Sequence, residues 1–289
     1  MLISFEVENF RSFKTKKTFH TVQRNYKRFP HHLHKVNDSL IILKTSAIYG
    51  HNGSGKTNLF KAMYFVKRMV EDMEFLNSPE SYKILTSFKL DSISHERDSI
   101  FNTDFVIENQ IYTYELHVNE KAKKITFEAL KLTLEDILIF ERKIDTEDNT
   151  IINFGDNEDL SKFGEIFLSF LPQDATLLSV YTKVPFFEKI NNVHLRNVRT
   201  WFTEKLSFIF PIHEFSDITY LLSSKPQFLE LANRIIKYGQ TGIDSLSIKE
   251  VPLEIYIGEE NKDQIDHIYG ILRQPGKQHH SFKDSNGNY

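Results

Sequence analysis

Cysteine is absent from the 289 residues, which excludes disulfides and Cys-ligated zinc and points to a reducing cytoplasm. Glycine is sparse, at 11 residues, so each one is expected where the backbone demands it. No apolar run approaches the roughly 18 residues that a membrane span needs. The N-terminal MLISFEVENF alternates instead of setting a basic segment before an apolar run, so no signal peptide is expected. What is plentiful is phenylalanine, 25 residues in an otherwise ordinary composition of 40% hydrophobic and 26% charged side chains. Such a chain can bury one large core or two modest ones. These limits describe a soluble, cytoplasmic protein without a membrane segment.

The net charge of -3 conceals an asymmetry. Residues 1–70 carry 13 Lys and Arg against three acids (Glu6, Glu8, Asp38), and the remainder holds 23 basic against 36 acidic residues. A basic N-terminal portion suits a polyanion, with DNA a candidate partner. Solvated lysines or internal pairing with the acidic remainder explain it equally well.

Periodicity divides the chain. LISFEVENF alternates as a half-buried strand, and a second strand follows a turn at Arg11-Ser12. Residues 20–39 are polar, broken by Pro30, and read as loop. LIILKTSAIYG holds two short apolar pieces, the second feeding a glycine-rich loop. From Thr57 to about Met73, apolar residues recur at helical spacing. Residues 84–143 are β-rich runs parted by polar turns, an antiparallel sheet. The acidic stretch after Asp145 fails as a calcium loop, because Thr150 stands where glycine is required. Residues 160–240 read as helices, one opening at Pro226 and closing at Gly239. IDSLSIKEV and LEIYIG return to strand. Asn286-Gly287 signals a hairpin turn with too little chain after it to form the return strand, so the natural polypeptide is expected to continue.

One motif carries chemistry. Gly50-His51-Asn52-Gly53-Ser54-Gly55-Lys56-Thr57 satisfies every fixed position of G-x-x-x-x-G-K-[ST], with a strand-like TSAIY before it and a helix after. The glycines let successive N–H groups turn inward on an oxyanion, and the helix adds its positive end. Lys56 would bridge the β- and γ-phosphates of ATP, and the Thr57 hydroxyl would hold Mg²⁺. His31, His32 and His34 lack a convincing carboxylate partner for a metal site. Tyr26 and Phe29 could stack on adenine, although packing accounts for them as well, and Trp201 reads as core. Hydrolysis also needs an acidic pair at the end of an apolar strand. KLTLED, ILIFER and LEIYIGEE each fail that test, so the catalytic residues are unknown.

The pair FEVENFRSFK and, some forty residues on, AIYGHNGSGKTNLFKAM resembles the SMC/RecF-like branch of ABC-type ATPases. Within it the chain is most similar to prokaryotic AAA-family ATP-binding proteins of anti-phage defence systems. SFKLD, YTYELHVNEKAKKITFEALKL and IIKYGQTGIDSLSIKE also look like that group. The resemblance implies an α/β fold of the P-loop NTPase, ABC-ATPase type: a mixed sheet with an antiparallel β portion and a helical insertion. It implies three regions: residues 1–150 as the N-terminal lobe with the phosphate loop, 151–240 as the insertion, and 241–289 as strands returning to the core. By the same resemblance Arg11 and Ser12 join Gly50, Asn52, Gly53, Ser54, Gly55, Lys56, Thr57 and Asn58 as nucleotide-binding residues. Such ATPases act as homodimers that sandwich ATP, and in defence they partner a nuclease or toxin effector. The signature motif and the Asp-Glu strand of the family are not found in this chain. Three functions follow: an ATP-driven switch in a defence or DNA-maintenance complex, a nucleotide-binding assembly module without turnover, or a RecF-like DNA-repair ATPase. A P-loop kinase is disfavoured, because nothing resembles a lid of clustered arginines.

Overall fold

The alternation of LISFEVE makes β1 (Leu2–Glu8), with Phe5 and Val7 buried and Glu6 and Glu8 half-buried. The computed structural model describes residues 1–23, 29–183, 190, 192–210, 222–239, 242–248, 251–258, 261–262 and 265. Around β1 the chain builds a seven-stranded sheet in the order β2-β1-β5-β6-β7-β8-β9. Its other members are β2 (Lys17–His20), β5 (Ser99–Ile107), β6 (Gln110–Asn119), β7 (Lys124–Leu132), β8 (Ile137–Ile144) and β9 (Thr150–Asn153). Every pairing is antiparallel. Between β5 and β6 a two-residue turn places Glu108 and Asn109 at φ 49° and 61°, the left-handed pair that matches the twist of a tight hairpin.

Helix α1 (Lys56–Glu71) lies on the apolar face of the sheet. Ala62, Met63, Phe65, Val66, Met69 and Val70 recur at three- and four-residue spacing and are all buried. Phe65 sits among Phe10, Phe101 and Phe75 at ring separations of 6.3, 5.3 and 5.7 Å. Burying each such ring stabilises the fold by about 1.5–3 kcal/mol, so the helix that carries the glycine-rich loop is held firmly. Thr176 reinforces the contact, its hydroxyl donating to the Met69 carbonyl at 2.8 Å. Lys67 extends from α1 to the Phe202 carbonyl at 2.5 Å.

Several expectations are corrected. Residues 20–39 are not simply loop: β3 (Leu33–Lys35) pairs with β4 (Ile41–Leu43), and Ile42 packs with Ile3, Val106 and Ile111 in a second small cluster. The strand expected at TSAIY is not formed; residues 44–50 have no ladder partner among the described residues, and Tyr49 is 90% exposed. A strand needs a neighbour for its N–H and C=O groups, and none is provided there. The sheet is accordingly antiparallel throughout, with no parallel pair among the described residues. LEIYI forms a short helix, α8 (Leu253–Ile257), instead of a strand. Pro252 stands just before it, and a five-residue apolar run does not distinguish helix from strand by period alone. Residues 243–248 form no strand, and Asn286-Gly287 and Tyr26 lie outside the described residues.

Within the region read as helical lie α3 (Glu158–Ser161), α4 (Gly164–Phe170), α5 (Leu177–Lys183), α6 (Val193–Thr200) and α7 (Pro226–Tyr238), whereas α2 (Pro79–Ile84) carries no reading from the sequence. Gly239 caps α7 with a right-handed φ of -71°, so no left-handed turn is used there. After α6 a π-helical turn, Trp201–Lys205, stacks Trp201 on Phe105 with ring centroids 4.1 Å apart. Contacts divide the chain into Met1–Phe208 and Ile209–Tyr289. The boundary cuts the 151–240 region, and α3 to α6 belong to the unit that contains the sheet.

Candidate functional site

The phosphate loop bridges residues 44–49 and α1. Gly53 and Gly55 hold φ of 79° and 94°, backbone that side-chain-bearing residues rarely adopt. At Gly50 a Cβ would come within 2.7 Å of Ser54 Oγ, so a side chain there would displace the serine hydroxyl. Helix α1 begins without a side-chain cap and without an acid in its first turn. Its positive end therefore has neither of these to compensate it among the described residues. Among the described residues the Ser54 amide donates back to the His51 carbonyl at 3.2 Å, whereas the amides of Gly53, Gly55, Lys56 and Thr57 have no protein acceptor. That set of amides, gathered at a helix start, fits an anion.

Lys56 folds over this loop. Its ammonium donates to the carbonyls of Gly50 (2.7 Å) and His51 (2.9 Å). No carboxylate pairs with it among the described residues. Two of its three protons are engaged by neutral acceptors and its charge is unbalanced. Thr57, in the first turn of α1, is exposed, as are Asn52 and Ser54. A phosphate group fits this donor set, and a hydroxyl beside it suits a hydrated Mg²⁺.

Ser12 and Asn58 join the loop. Asn58 Nδ2 donates to Ser12 Oγ at 3.0 Å, and a Cβ on Gly55 would meet that same oxygen at 2.8 Å. The turn after β1 therefore roofs the glycine of the loop. Arg11 goes elsewhere. Its Nε donates to the Ile84 carbonyl at 2.9 Å, its Nη2 to that of Lys83, and its backbone amide to the Thr86 carbonyl at 2.6 Å. Partial burial lowers the guanidinium's affinity for its proton. Sequence reasoning put Arg11 toward phosphate; the structure ties it to the end of α2.

Five of the ten described Lys and Arg of residues 1–70 form internal ion pairs. Lys14 pairs with Asp91, Lys16 with Glu6, Lys35 with Asp38, Lys67 with Glu71, and Arg68 with Glu71, Asp72 and Glu80. Among the described residues, Arg11, Lys17, Lys44, Lys56 and Lys61 have no ion-pair partner. The rings of His31 and His32 lie 4.3 Å apart at a 43° tilt, and the described residues contain no cluster of three metal-ligating groups.

Sequence reasoning passed over a buried ionic cluster behind α1. Glu128 and Arg142 face each other on β7 and β8, both fully buried, with Nη1 and Oε2 3.7 Å apart. Glu128 also accepts from Tyr114 (2.9 Å) and from the Leu177 amide (2.8 Å). Arg142 donates to the carbonyls of Pro172 (2.9 Å) and Ala175. Desolvation raises the Glu128 pKa and lowers that of Arg142, opposed in each case by the partner's charge. The signal was present in the parity: Glu128 alternates with Leu130 and Leu132, which are buried.

Residues 46–176 match the family model described as "AAA domain, putative AbiEii toxin, Type IV TA system". No curated protein gives a significant match to the chain. No helix among the described residues is long and apolar enough to cross a membrane. The matched span runs from the residues that feed the phosphate loop, through α1 and the antiparallel strands, to the Thr176 contact. Its fold is that of an α/β P-loop domain of AAA type.

Proposed function

We propose that this chain is the nucleotide-binding lobe of an ABC-type, SMC/RecF-like ATPase that switches a prokaryotic defence or DNA-maintenance complex. The observation that supports it most is Lys56, a cation with no carboxylate among the described residues, folded over a loop with four amides that lack an acceptor there. The bound ligand is Mg-ATP. Gly50, Asn52, Gly53, Ser54, Gly55 and Lys56 surround the phosphates, Thr57 holds Mg²⁺, and Asn58 and Ser12 close the site from the side of β1. Magnesium neutralises phosphate charge when bound; the chain's own residues bind and orient. In this reading residues 1–150 form the lobe and 151–240 the helical insertion. Two copies sandwich ATP, and a nuclease or toxin effector receives the signal. The toxin–antitoxin wording of the matched family agrees with such an effector.

Lys56→Ala tests the site. The variant loses its main cationic contact with the triphosphate, and Mg-ATP affinity falls at least about a hundredfold. Calorimetry on wild type and variant reads it, and equal affinities would sink the proposal. Turnover is a separate matter. The 289-residue chain binds Mg-ATP without steady phosphate release, because positioning and charge stabilisation must be supplied together. Lys56-dependent release by this chain would overturn that second statement and leave the first standing.

A further inference from the structure

Asn9 stands at the end of β1, fully buried and at a left-handed φ of 49°. Its side-chain amide is used on every side. Nδ2 donates to the carbonyls of Ser94 (2.7 Å), Arg97 (2.9 Å) and Asp98 (3.2 Å), and Oδ1 accepts from the Phe88 amide (3.1 Å). Its own carbonyl accepts from the Ser99 hydroxyl at 2.6 Å. Five bonds therefore fix one residue against the segment between α2 and β5.

The chain then turns at once. Phe10 and Phe13 exchange backbone hydrogen bonds of 3.0 and 2.8 Å, and Ser12, at the tip, lies against Gly55 and accepts from Asn58. Arg11 pins the other side of the turn to residues 83–86. Ser12 keeps its own hydroxyl proton, which has no acceptor among the described residues. We propose that Asn9 is a positioning residue for the phosphate site: it never touches nucleotide but fixes the turn that holds the Ser12 hydroxyl over Gly55. This rests on the nucleotide-binding reading above. The residue type follows from the chemistry. A carboxamide supplies two N–H protons, one of them shared between two of the three carbonyl oxygens, together with an acceptor for the Phe88 amide. A carboxylate would face three oxygens, and a β-branched side chain would not accept the backbone angle.

The test is a double-mutant cycle on the full 289-residue chain, titrated with Mg-ATP by calorimetry and melted in parallel. Asn9→Gly keeps the backbone angle and removes the side chain. Asn9→Gly and Ser12→Ala should each weaken binding about tenfold, and the double variant should be no weaker than about threefold below either single. The melting loss from Asn9→Gly should be the same in the wild-type and Ser12→Ala backgrounds, which separates positioning from bulk stability. Wild-type affinity in Asn9→Gly, or additive losses approaching about a hundredfold in the double variant, would overturn the proposal. If Asn9→Gly does not fold, Ser99→Ala removes one of the five bonds. It should weaken binding about threefold with Ser12 present and not at all in the Ser12→Ala background, and unchanged affinity in the first would overturn the role. A wild type that binds no Mg-ATP overturns the site reading itself, whereas wild-type-like variants overturn only the part given to Asn9.

Discussion

Arg142 and Lys56 are both cations held by two backbone carbonyls, and they differ in what balances their charge. Arg142 bonds to Pro172 and Ala175, is fully buried, and faces Glu128 at 3.7 Å. Lys56 bonds to Gly50 and His51, is half-buried, and has no carboxylate among the described residues. In low dielectric an unpaired charge costs several kcal/mol, so Arg142 must bring its counter-charge with it. Near water the charge of Lys56 can stay open at small cost and wait for an anion. Charge balance, more than hydrogen-bond count, separates the cation that serves the fold from the one proposed to serve a ligand.

Removing each cation's role should split stability from binding. Glu128→Ala leaves Arg142 buried without its partner and should cost about 3–5 kcal/mol, on the order of 10 °C in melting temperature for a unit of this size. Lys56→Ala should melt within about 1–2 °C of wild type while losing Mg-ATP. Thermal melts of both variants decide it, and similar losses would dissolve the contrast.

The next test reverses the pair. In Arg142→Met, Glu128 keeps its desolvation and loses the charge that opposes it. A carboxyl whose folded pKa is raised above its unfolded value near 4.5 adds stability below that value and loses it as pH rises through the folded pKa. The deficit of Arg142→Met relative to wild type should therefore shrink as pH is lowered from about 7 toward about 5. A deficit constant over that range would mean that Glu128 is not the group left charged.

How much of this was legible in the sequence depended on where the determining contacts lie. The phosphate loop is local: glycine at positive φ, then lysine at a helix start, is written in eight consecutive residues. Helix α1 and strands β5 to β8 are legible because one face of each is buried, so period reports burial directly. The β3–β4 hairpin was hidden, since its packing is carried by Ile42 against residues as distant in sequence as Val106, while its own chain is rich in histidine and lysine. Sequence does not separate Arg11 from Ser12, because adjacent residues on a tight turn point in different directions, Ser12 to the loop and Arg11 to the carbonyls of Lys83 and Ile84. The role of Asn9 depends on carbonyls 85 to 89 residues away, which no local pattern reports.

Gly55→Ala tests the open side of the comparison with a smaller perturbation. The residue sits at φ 94°, and a Cβ would meet Ser12 Oγ at 2.8 Å. Left-handed backbone on a non-glycine residue costs about 1–2 kcal/mol. Moving the roof off the loop should in addition weaken Mg-ATP binding by roughly tenfold. If calorimetry gives wild-type affinity, the Ser12 contact has no part in binding.

The smallest effect belongs to a third kind of charge, half-buried at the surface and balanced. Asp91 accepts from the amides of Ser94 (2.7 Å) and Ile93 (3.1 Å) and pairs with Lys14 at 3.0 Å. The Ser94 amide first, and then Lys14, hold its carboxyl well below the usual carboxylate range. The sign follows from that depression. The contribution is complete above the unfolded value near 3.8 and is lost only as pH falls through the lower folded pKa. Because water reaches this carboxylate, its loss should scarcely alter melting, and the informative readout is local. The Ser94 amide resonance should hold steady from about pH 7 down to about 4 and move only below that, and in Asp91→Asn it should not titrate at all. Since the Ser94 carbonyl accepts from Asn9, the same spectra show whether disturbing this turn reaches the phosphate site. A midpoint near about 4 in the wild type would mean that neither the amide nor Lys14 acts on Asp91, and the turn would not depend on its charge.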